Sequence, residues 1–218
     1  IPLFVIYDGP EHTMATWRHV ATGKAYEDWI RTFAVALLGA PAWIVFEPDA
    51  LLLAPAYSEE DRAMRLEELK NGVRILKEQN PLARVYIDAG HHQWKGAAFV
   101  VSLLRQAGIE LADGFALNVS NHQTVSEEIA YGVQIATLIG NTHFIIDTGQ
   151  AGKKVEGKEW CNAPGRALGQ IPTTDTGNAL VAAFVWAKPP GESDGICNGG
   201  PPPGKFWLEY ALQLIANE

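Results

Sequence analysis

Runs of apolar residues alternate along the chain with stretches whose apolar positions recur at helical spacing. The apolar runs predict short buried strands, and the stretches between them predict amphipathic helices. Strands that alternate with helices in this way are typical of a mainly parallel sheet. The predicted strands lie at 3–8, 43–47, 84–88, 115–119, 143–147 and 181–187, and the predicted helices near 26–39, 59–79, 96–107, 124–139 and 204–217.

Carboxylates stand at the ends of several predicted strands, at Asp8, Glu47, Asp88 and Asp147. A buried ionised carboxylate is costly unless it is paired, so acids at one edge of a sheet indicate a site. No Gly-x-Gly-x-x-Gly or P-loop pattern follows a strand, which disfavours the nucleotide-binding type of open sheet. Acids at different strand ends favour an α/β barrel over that open sheet. Six strands are few for closure, so we expect a barrel or near-barrel that lacks an element at its N-terminus.

Three short segments combine the residue types of a catalytic site. In Glu47-Pro48-Asp49, neighbouring like charges raise a carboxyl pKa, and a carboxylic acid can then act as a general acid near neutral pH. The segment 88–94 holds an acid, two imidazoles and an indole, and 188–195 holds a cation and two carboxylates on a loop shaped by Gly and Pro. The structural alternatives are a Glu47–Lys188 ion pair and loop hydrogen bonding by the two histidines.

Other chemistries have weaker support in the sequence. Asp88 and His91 are candidate metal ligands, but no His-x-His or His-Glu-x-x-His pattern is present. A serine nucleophile is disfavoured because the chain has no Gly-x-Ser-x-Gly motif. Carboxylic acid chemistry without a metal or cofactor is therefore the favoured interpretation.

Composition narrows the class of ligand. The net charge is −8 with no basic patch, which disfavours nucleic acid and anionic lipid surfaces and favours a neutral substrate. No apolar run approaches the length of a membrane span, and no signal peptide is visible, which suggests a mature or trimmed chain. Cys161 and Cys197 lie in polar loops, where one disulfide in an exported protein is favoured over two free thiols.

The combined motifs resemble glycoside hydrolase family 6, the inverting β-1,4-glucanases and cellobiohydrolases. The resemblance covers nearly the whole chain and implies a single catalytic domain over 1–218. Its implied fold is a distorted, incompletely closed parallel α/β barrel that lacks one N-terminal strand, with a glucan cleft at the carboxyl ends of the strands. It rests on motifs in the family's order: Val5-Ile6-Tyr7-Asp8, Val45-Phe46-Glu47-Pro48-Asp49, Tyr86-Ile87-Asp88-Ala89-Gly90-His91, Asn118-Val119-Ser120-Asn121, Glu159-Trp160-Cys161-Asn162, Thr174-Asp175-Thr176-Gly177 and the segment 188–195.

The resemblance implies a role for individual residues. Asp49 matches the general acid, and Asp194 matches the proposed base, which acts directly or through water. Tyr7 matches the tyrosine that crowds the reacting sugar and favours its distortion. An inverting enzyme separates its acid and base by about 6.5–9.5 Å to hold the water. Substrate-contacting positions are implied at Asp88, His91, Trp94, Asn121, Trp160, Lys188 and Glu192.

The chain also departs from the family's pattern. His12-Thr13-Met14 replaces the usual Arg-Asp-Cys, and Gln150 replaces an arginine. The missing aspartate normally helps to keep the acid protonated, and Glu11 is a candidate replacement. The alternative function is therefore a carbohydrate-binding homologue that kept the cleft and lost efficient hydrolysis, although the full set of Asp49, Asp194, Lys188 and Glu192 speaks against a pure binder.

Loop lengths distinguish internal cleavage from cleavage at chain ends. Cellobiohydrolases of the family cover the cleft with a long insertion after the last acidic motif, whereas here Cys197 follows Asp194 almost at once. The cleft is expected to be open, so the resemblance implies a secreted endo-β-1,4-glucanase. Cys161 and Cys197 correspond to the family's C-terminal disulfide.

Overall fold

The computed structural model of the protein describes residues 1–8, 23–154, 156–157 and 159–217. Six parallel strands form one sheet, and each strand pairs with the next along the chain. A sequential order is that of a barrel wall, whereas the strand order of a doubly wound sheet reverses at a switch point. The strands are β1 (Leu3–Ile6), β2 (Ala42–Phe46), β3 (Ala83–Asp88), β4 (Gly114–Leu117), β5 (His143–Asp147) and β6 (Val181–Val185).

Helices cover one face of the sheet and connect the strands from β1 to β5, whereas no helix of the described residues lies between β5 and β6. The longest, α3, begins after Ser58, whose hydroxyl accepts a hydrogen bond from the backbone N–H of Asp61 at 3.1 Å. This N-cap satisfies one of the free donors of the first turn. The helices are α1 (Lys24–Ala36), α2 (Ala50–Leu53), α3 (Glu59–Gln79), α4 (Ala97–Gln106), α5 (Val125–Ile139) and α6 (Leu208–Ala216), with 3₁₀ turns at Ala54–Ala56 and Cys197–Gly199.

Alternation along each strand divides the core into two parts. Val85 and Ile87 of β3 pack against the helices, whereas Tyr86 belongs to a smaller apolar cluster on the other, concave face. Successive strand residues face opposite sides, so Asp88 lies on the same face as Tyr86. Asp147 lies on that face as well, two residues beyond Ile145 of β5. The strand pattern therefore directs two carboxylates to the inner rim of the barrel.

Left-handed backbone occurs repeatedly at this rim. The φ angles of Glu47, Asp49, Asn118, Ser120 and Asn162 are 53°, 68°, 64°, 57° and 46°. Such conformations cost non-glycine residues about 1–3 kcal/mol each, and they persist where surrounding contacts impose them. The strain is concentrated where the sequence predicts the site.

The predicted fold class is confirmed: the sheet is a curled, incomplete α/β barrel with the sequential strand order of this class. Among the described residues, β1 and β6 do not pair with each other, so the barrel is open between them. The strands end up to two residues earlier than predicted, and the short helix α2 was not predicted. No helix in the described part of the chain is long and apolar enough to cross a membrane.

Candidate active site

Glu47, the first acid of the predicted pair, is buried in the helical layer. Its carboxylate accepts hydrogen bonds from the backbone N–H of Asp8 at 3.0 Å, the Tyr26 hydroxyl at 2.8 Å and the Arg65 guanidinium at 2.6 Å. Arg65 also contacts Glu68 at 3.5 Å. The predicted alternative, an ion pair between Glu47 and Lys188, is wrong: the cation that pairs with Glu47 is Arg65. The left-handed turn at Glu47 directs its carboxylate toward α1 and α3.

Asp49 is joined to Asp88 instead. The Asp49 backbone N–H donates to Asp88 Oδ2 at 2.9 Å, and Gly90 N–H reaches the same oxygen at 3.3 Å. Burial, with the charge of Asp49 as the next cause, raises the pKa of Asp88 well above its usual value. Asp88 Oδ1 is buried and has no hydrogen-bond partner among the described residues. The Asp49–Asp88 pair is therefore an arrangement that favours retention of a proton.

A second network begins at Asp147 and reaches Asp194. The Asp147 carboxylate accepts hydrogen bonds from the backbone N–H groups of Ser120 at 3.0 Å, Gly149 at 3.0 Å and Lys188 at 3.1 Å. Burial raises the Asp147 pKa to about 6, although these hydrogen bonds oppose the shift. The Lys188 ammonium forms an ion pair with Asp194 Oδ1, and both side chains are largely buried.

Asn162 fixes the other side of Asp194. Its backbone N–H donates to Asp194 Oδ2 at 2.7 Å, and its side-chain oxygen accepts the Asp194 backbone N–H at 2.8 Å. The Asn162 amide also donates to the carbonyls of Gly195 and Cys197 at 2.7 and 2.9 Å. Asp194 is thus held between a cation and a backbone donor, in a fixed orientation at the rim.

The loop after β3 brings His91 and Trp94 together. Their ring centroids are 5.7 Å apart, and burial lowers the pKa of His91 to about 4, with the charge of His92 as a further cause. Gly90 has a φ of 68°, and a Cβ at this position would collide with Leu52 and with the Trp94 ring. Glycine therefore permits the close approach of the loop to α2.

His92 anchors the same loop to helix α5. Its backbone N–H donates to Glu128 Oε1 at 3.1 Å, and its ring Nδ1 lies 2.7 Å from that oxygen. Glu128 is fully buried, and burial raises its pKa. The hydrogen bond to Glu128 raises the pKa of His92, Glu127 adds to this shift, and Lys154 opposes it. The prediction that His91 and His92 serve as loop hydrogen-bonding residues therefore holds for His92.

The His92 contact should make stability depend on pH. Since the folded-state pKa of His92 lies above its unfolded value near 6.5, the stabilisation is complete below pH about 6.5 and declines as pH rises through the folded value. The variant His92→Asn should be less stable than the parent at pH 6, and the gap should narrow toward pH 9. Urea unfolding across this range measures it; a gap that stays constant would contradict the assignment.

The remaining predicted residues lie around these networks. Trp160 is 64% exposed and Tyr7 is 49% exposed, so both present aromatic surface to solvent. Asn121 is half-buried, and its amide donates to the Val119 carbonyl at 3.0 Å. Glu192 is also half-buried, and its backbone pairs with that of Phe206. Within the described part of the chain, no hydrogen bond or ion pair joins Glu192 to the other predicted residues, and the functional roles of all these residues remain predictions.

A metal centre has no support in the described ranges of the chain. They contain no group of three or more His, Cys, Asp or Glu side chains arranged to hold an ion. Asp88, at the end of β3, accepts backbone N–H donors, and His91, in the loop that follows, packs against Trp94.

Comparison with known proteins decides the family. The family model for glycosyl hydrolases family 6 matches residues 2–218. The chain belongs to this family. Endoglucanase A of Cellulomonas fimi is 40% identical over 218 residues, which cover 99% of this chain and 47% of that protein. Endoglucanase 1 of Streptomyces sp. strain KSM-9 is 41% identical over 192 residues, which cover 87% and 53%.

A solved family 6 structure has the same fold. The endoglucanase Cel6 from Mycobacterium tuberculosis, in complex with methyl-cellobiosyl-4-deoxy-4-thio-β-D-cellobioside, superposes with a TM-score of 0.90 at 40% identity. The match covers 99% of this chain and 75% of that one. The chain spans about half the length of the first two endoglucanase relatives, at 47% and 48% of their sequences.

One departure from the family 6 pattern now has a structural explanation. Gln150, at the position of the family's usual arginine, is buried, and its side-chain oxygen accepts the Tyr210 hydroxyl at 2.8 Å. The same hydroxyl lies 3.0 Å from the Ala163 carbonyl. Gln150 therefore helps to dock helix α6 against the site loops. The other departure, at His12-Thr13-Met14 with Glu11, lies outside the described residues.

The family 6 disulfide is present between Cys161 and Cys197. It joins the loop of Trp160 and Asn162 to the loop of Asp194. With a sequence separation of 36, the chain-entropy model assigns it about 4 kcal/mol of stability. Reduction should lower the free energy of urea unfolding by about this amount, whereas the double variant Cys161→Ser/Cys197→Ser should not respond to reductant. An unchanged midpoint after complete reduction would contradict this prediction.

Several buried polar residues of the site are not predictable from the motifs of the sequence. Arg65, Glu128, His122 and Arg166 are all buried, yet none of them belongs to the three segments identified from sequence. Arg65 was predictable in part, because it neighbours the apolar stripe of α3 that begins at Leu66. Glu128 pairs with His92, which lies 36 residues away, and a single sequence carries no signal for such a contact.

Proposed function

We propose that this chain is the catalytic domain of an endo-β-1,4-glucanase that hydrolyses internal bonds of cellulose or a related β-glucan with inversion. The observation that carries the proposal is the placement of Asp49 and Asp194. Both follow parallel strands at the same edge, but β3, β4 and β5 lie between their strands in the sheet. A wide separation leaves room for the attacking water that inversion requires.

Asp49 supplies the proton to the leaving oxygen. Its left-handed backbone turns it away from the strand, and its N–H is fixed on Asp88 at 2.9 Å. The two carboxyl groups repel each other when both are ionised, which favours a proton on the pair. In this mechanism Asp88 takes part of the role of the aspartate that Thr13 replaces.

Asp194 orients the water on the opposite face of the sugar. Lys188 and the Asn162 N–H hold one carboxylate oxygen each, so the group cannot rotate away from its position. The carboxylate accepts the proton of the water directly or through a second water. Lys188 balances the charge of this carboxylate.

Aromatic side chains bind the sugar rings. An indole offers a flat apolar face that matches the apolar face of a pyranose. Trp160 is exposed beside the disulfide, and Trp94 lies next to His91, so the two indoles flank the acidic networks. Tyr7 follows β1 at the open side of the barrel, where it crowds the reacting sugar. The side chains of Asn121, His91 and Glu192 form hydrogen bonds with the hydroxyl groups of the sugar.

Internal cleavage follows from the short loop after Asp194. This loop is tied down by the disulfide at Cys197 and by backbone hydrogen bonds between Ser193 and both Gly204 and Lys205. A short segment held in this way cannot extend over the cleft. An open cleft admits the middle of a polymer chain. The disulfide also supports export, because disulfides persist in oxidising compartments.

The proposal is tested by comparing viscosity loss with reducing-sugar release on soluble carboxymethylcellulose. Internal cleavage should lower viscosity steeply after few bonds are broken, whereas cleavage from chain ends releases sugar with little viscosity loss. Binding of cello-oligosaccharides without any hydrolysis would instead establish the carbohydrate-binding alternative, for which the change at Thr13 is the motivating observation.

A further inference from the structure

A polar pocket lies beside the predicted cleft, among loops that also carry cleft residues. It has a volume of about 330 Å³ and is lined by Gln93, His122, Thr124, Glu127, Lys154 and Arg166, among others. Gln93 precedes Trp94, His122 follows Asn121, and Arg166 lies a few residues beyond Trp160. The charges of His91 and Asp194 both act on the pKa of His122, so the pocket is close to the acidic networks.

His122 is the buried polar group of this pocket. His122 is only 5% exposed, and its side chain forms no hydrogen bond with any described residue. Burial lowers its pKa to about 4, and the charge of Arg166 adds to the effect. The imidazole is therefore neutral near pH 7 and offers one donor and one acceptor. Its ring nitrogens are available to the hydroxyl groups of a ligand in the pocket.

The charges of the pocket balance. Lys154 pairs with Glu127 at 2.6 Å, and Thr124 donates its hydroxyl to the same carboxylate at 2.5 Å. Arg166 and Glu156 supply one further charge of each sign. A balanced set of donors and acceptors suits the hydroxyl groups of a neutral ligand better than an anion or a cation.

The lining contains no tryptophan, whereas Trp94 and Trp160 are the residues predicted to bind the sugar rings of the glucan chain in the cleft. A glucosyl unit of the glucan chain presents its ring face to an indole, whereas this lining offers hydrogen-bonding side chains to the hydroxyl groups of a sugar. At about 30 Å³ per water, 330 Å³ corresponds to about eleven waters, which leaves room for a sugar unit together with bridging waters.

We propose that this pocket binds a neutral sugar substituent that branches from the β-1,4-glucan main chain, with His122 as its recognition residue. The inference rests on the proposed function, since it assumes that a glucan main chain occupies the cleft. It adds that branched β-1,4-glucans are substrates, and that the branch increases the efficiency of cleavage.

The test compares a xylosyl-branched cello-oligosaccharide with the linear oligosaccharide of the same main-chain length. The ratio of their kcat/KM values should exceed one for the parent and fall about tenfold in His122→Phe, which keeps a ring but removes both hydrogen-bonding atoms. Gln93→Leu, at an exposed position that does not endanger folding, should lower the ratio in the same direction. His143→Phe, an exposed histidine at the opposite edge of the sheet, is the matched control and should leave the ratio unchanged.

The outcomes separate the two proposals. Efficient cleavage of the linear substrate, with no advantage for the branched one or with an equal loss on both in His122→Phe, would overturn the pocket proposal and leave the proposed function intact. If neither substrate is hydrolysed, calorimetric binding decides: a branched-to-linear affinity ratio that falls about tenfold in His122→Phe supports the pocket, and an unchanged ratio overturns it.

Discussion

Asp49→Asn is expected to lower kcat on unactivated cello-oligosaccharides by about 10²–10⁴-fold, the usual contribution of a general acid. Asparagine is nearly isosteric, tolerates the left-handed backbone at φ 68°, and keeps the N–H that bonds Asp88 at 2.9 Å. The amide cannot donate a proton to the leaving oxygen. Oligosaccharide binding, measured by calorimetry, should therefore change little while turnover is lost.

A substrate with an activated leaving group sharpens this test. The dinitrophenolate group of a dinitrophenyl glycoside leaves without protonation, so the variant should retain far more activity on this substrate than on cellotetraose. Asp28→Asn, on the exposed face of α1, controls for the loss of a carboxylate elsewhere. Normal turnover of cellotetraose by Asp49→Asn would refute the assignment of the acid.

The second large effect is on stability. Arg65→Met is expected to lower the free energy of unfolding by about 3–5 kcal/mol, because it leaves a buried carboxylate without its cation. Glu47 and Glu68 are the carboxylates concerned, at 2.6 and 3.5 Å from the guanidinium. Both the Arg65 and Glu47 side chains are almost completely buried, so solvent cannot compensate for the loss.

The matched control is Arg74→Met on the same helix. Arg74 pairs with Glu78 at 3.0 Å, but both side chains are about half exposed, and such pairs contribute about 0.2–1 kcal/mol. The double variant Glu47→Gln/Arg65→Met should recover part of the loss, since the glutamine oxygen can still accept the Tyr26 hydroxyl. Equal costs for Arg65→Met and Arg74→Met in urea unfolding would contradict the buried-pair account.

Much of the fold was predictable because strand alternation is a local property of the sequence. The pattern of β3 and β5 places Tyr86 and Ile145 on the concave face, and two residues later the same period delivers Asp88 and Asp147 to that face. The alternation of strands and helices predicted parallel strands, but a doubly wound sheet alternates in the same way, and it was the acids at different strand ends that favoured the barrel.

The details of the site depend on contacts that no local pattern encodes. The left-handed turn at Glu47 moved one acid of the predicted pair into the helical layer, where its partner lies 18 residues away on α3. Likewise, His92 meets Glu128 across 36 residues, and His122 gains its burial from loops that are distant in sequence. Residue types at strand ends indicated the chemistry, but the pairing of those residues required the tertiary structure.

The most direct test of inverting hydrolysis is the anomeric configuration of the first product, followed by ¹H NMR during cleavage of a cello-oligosaccharide. If Asp49 and Asp194 act as acid and base around a bound water, the new reducing end should appear as the α-anomer and only later equilibrate. This signal should be absent in Asp49→Asn. Initial accumulation of the β-anomer would show retention through a covalent intermediate and would contradict the proposed mechanism.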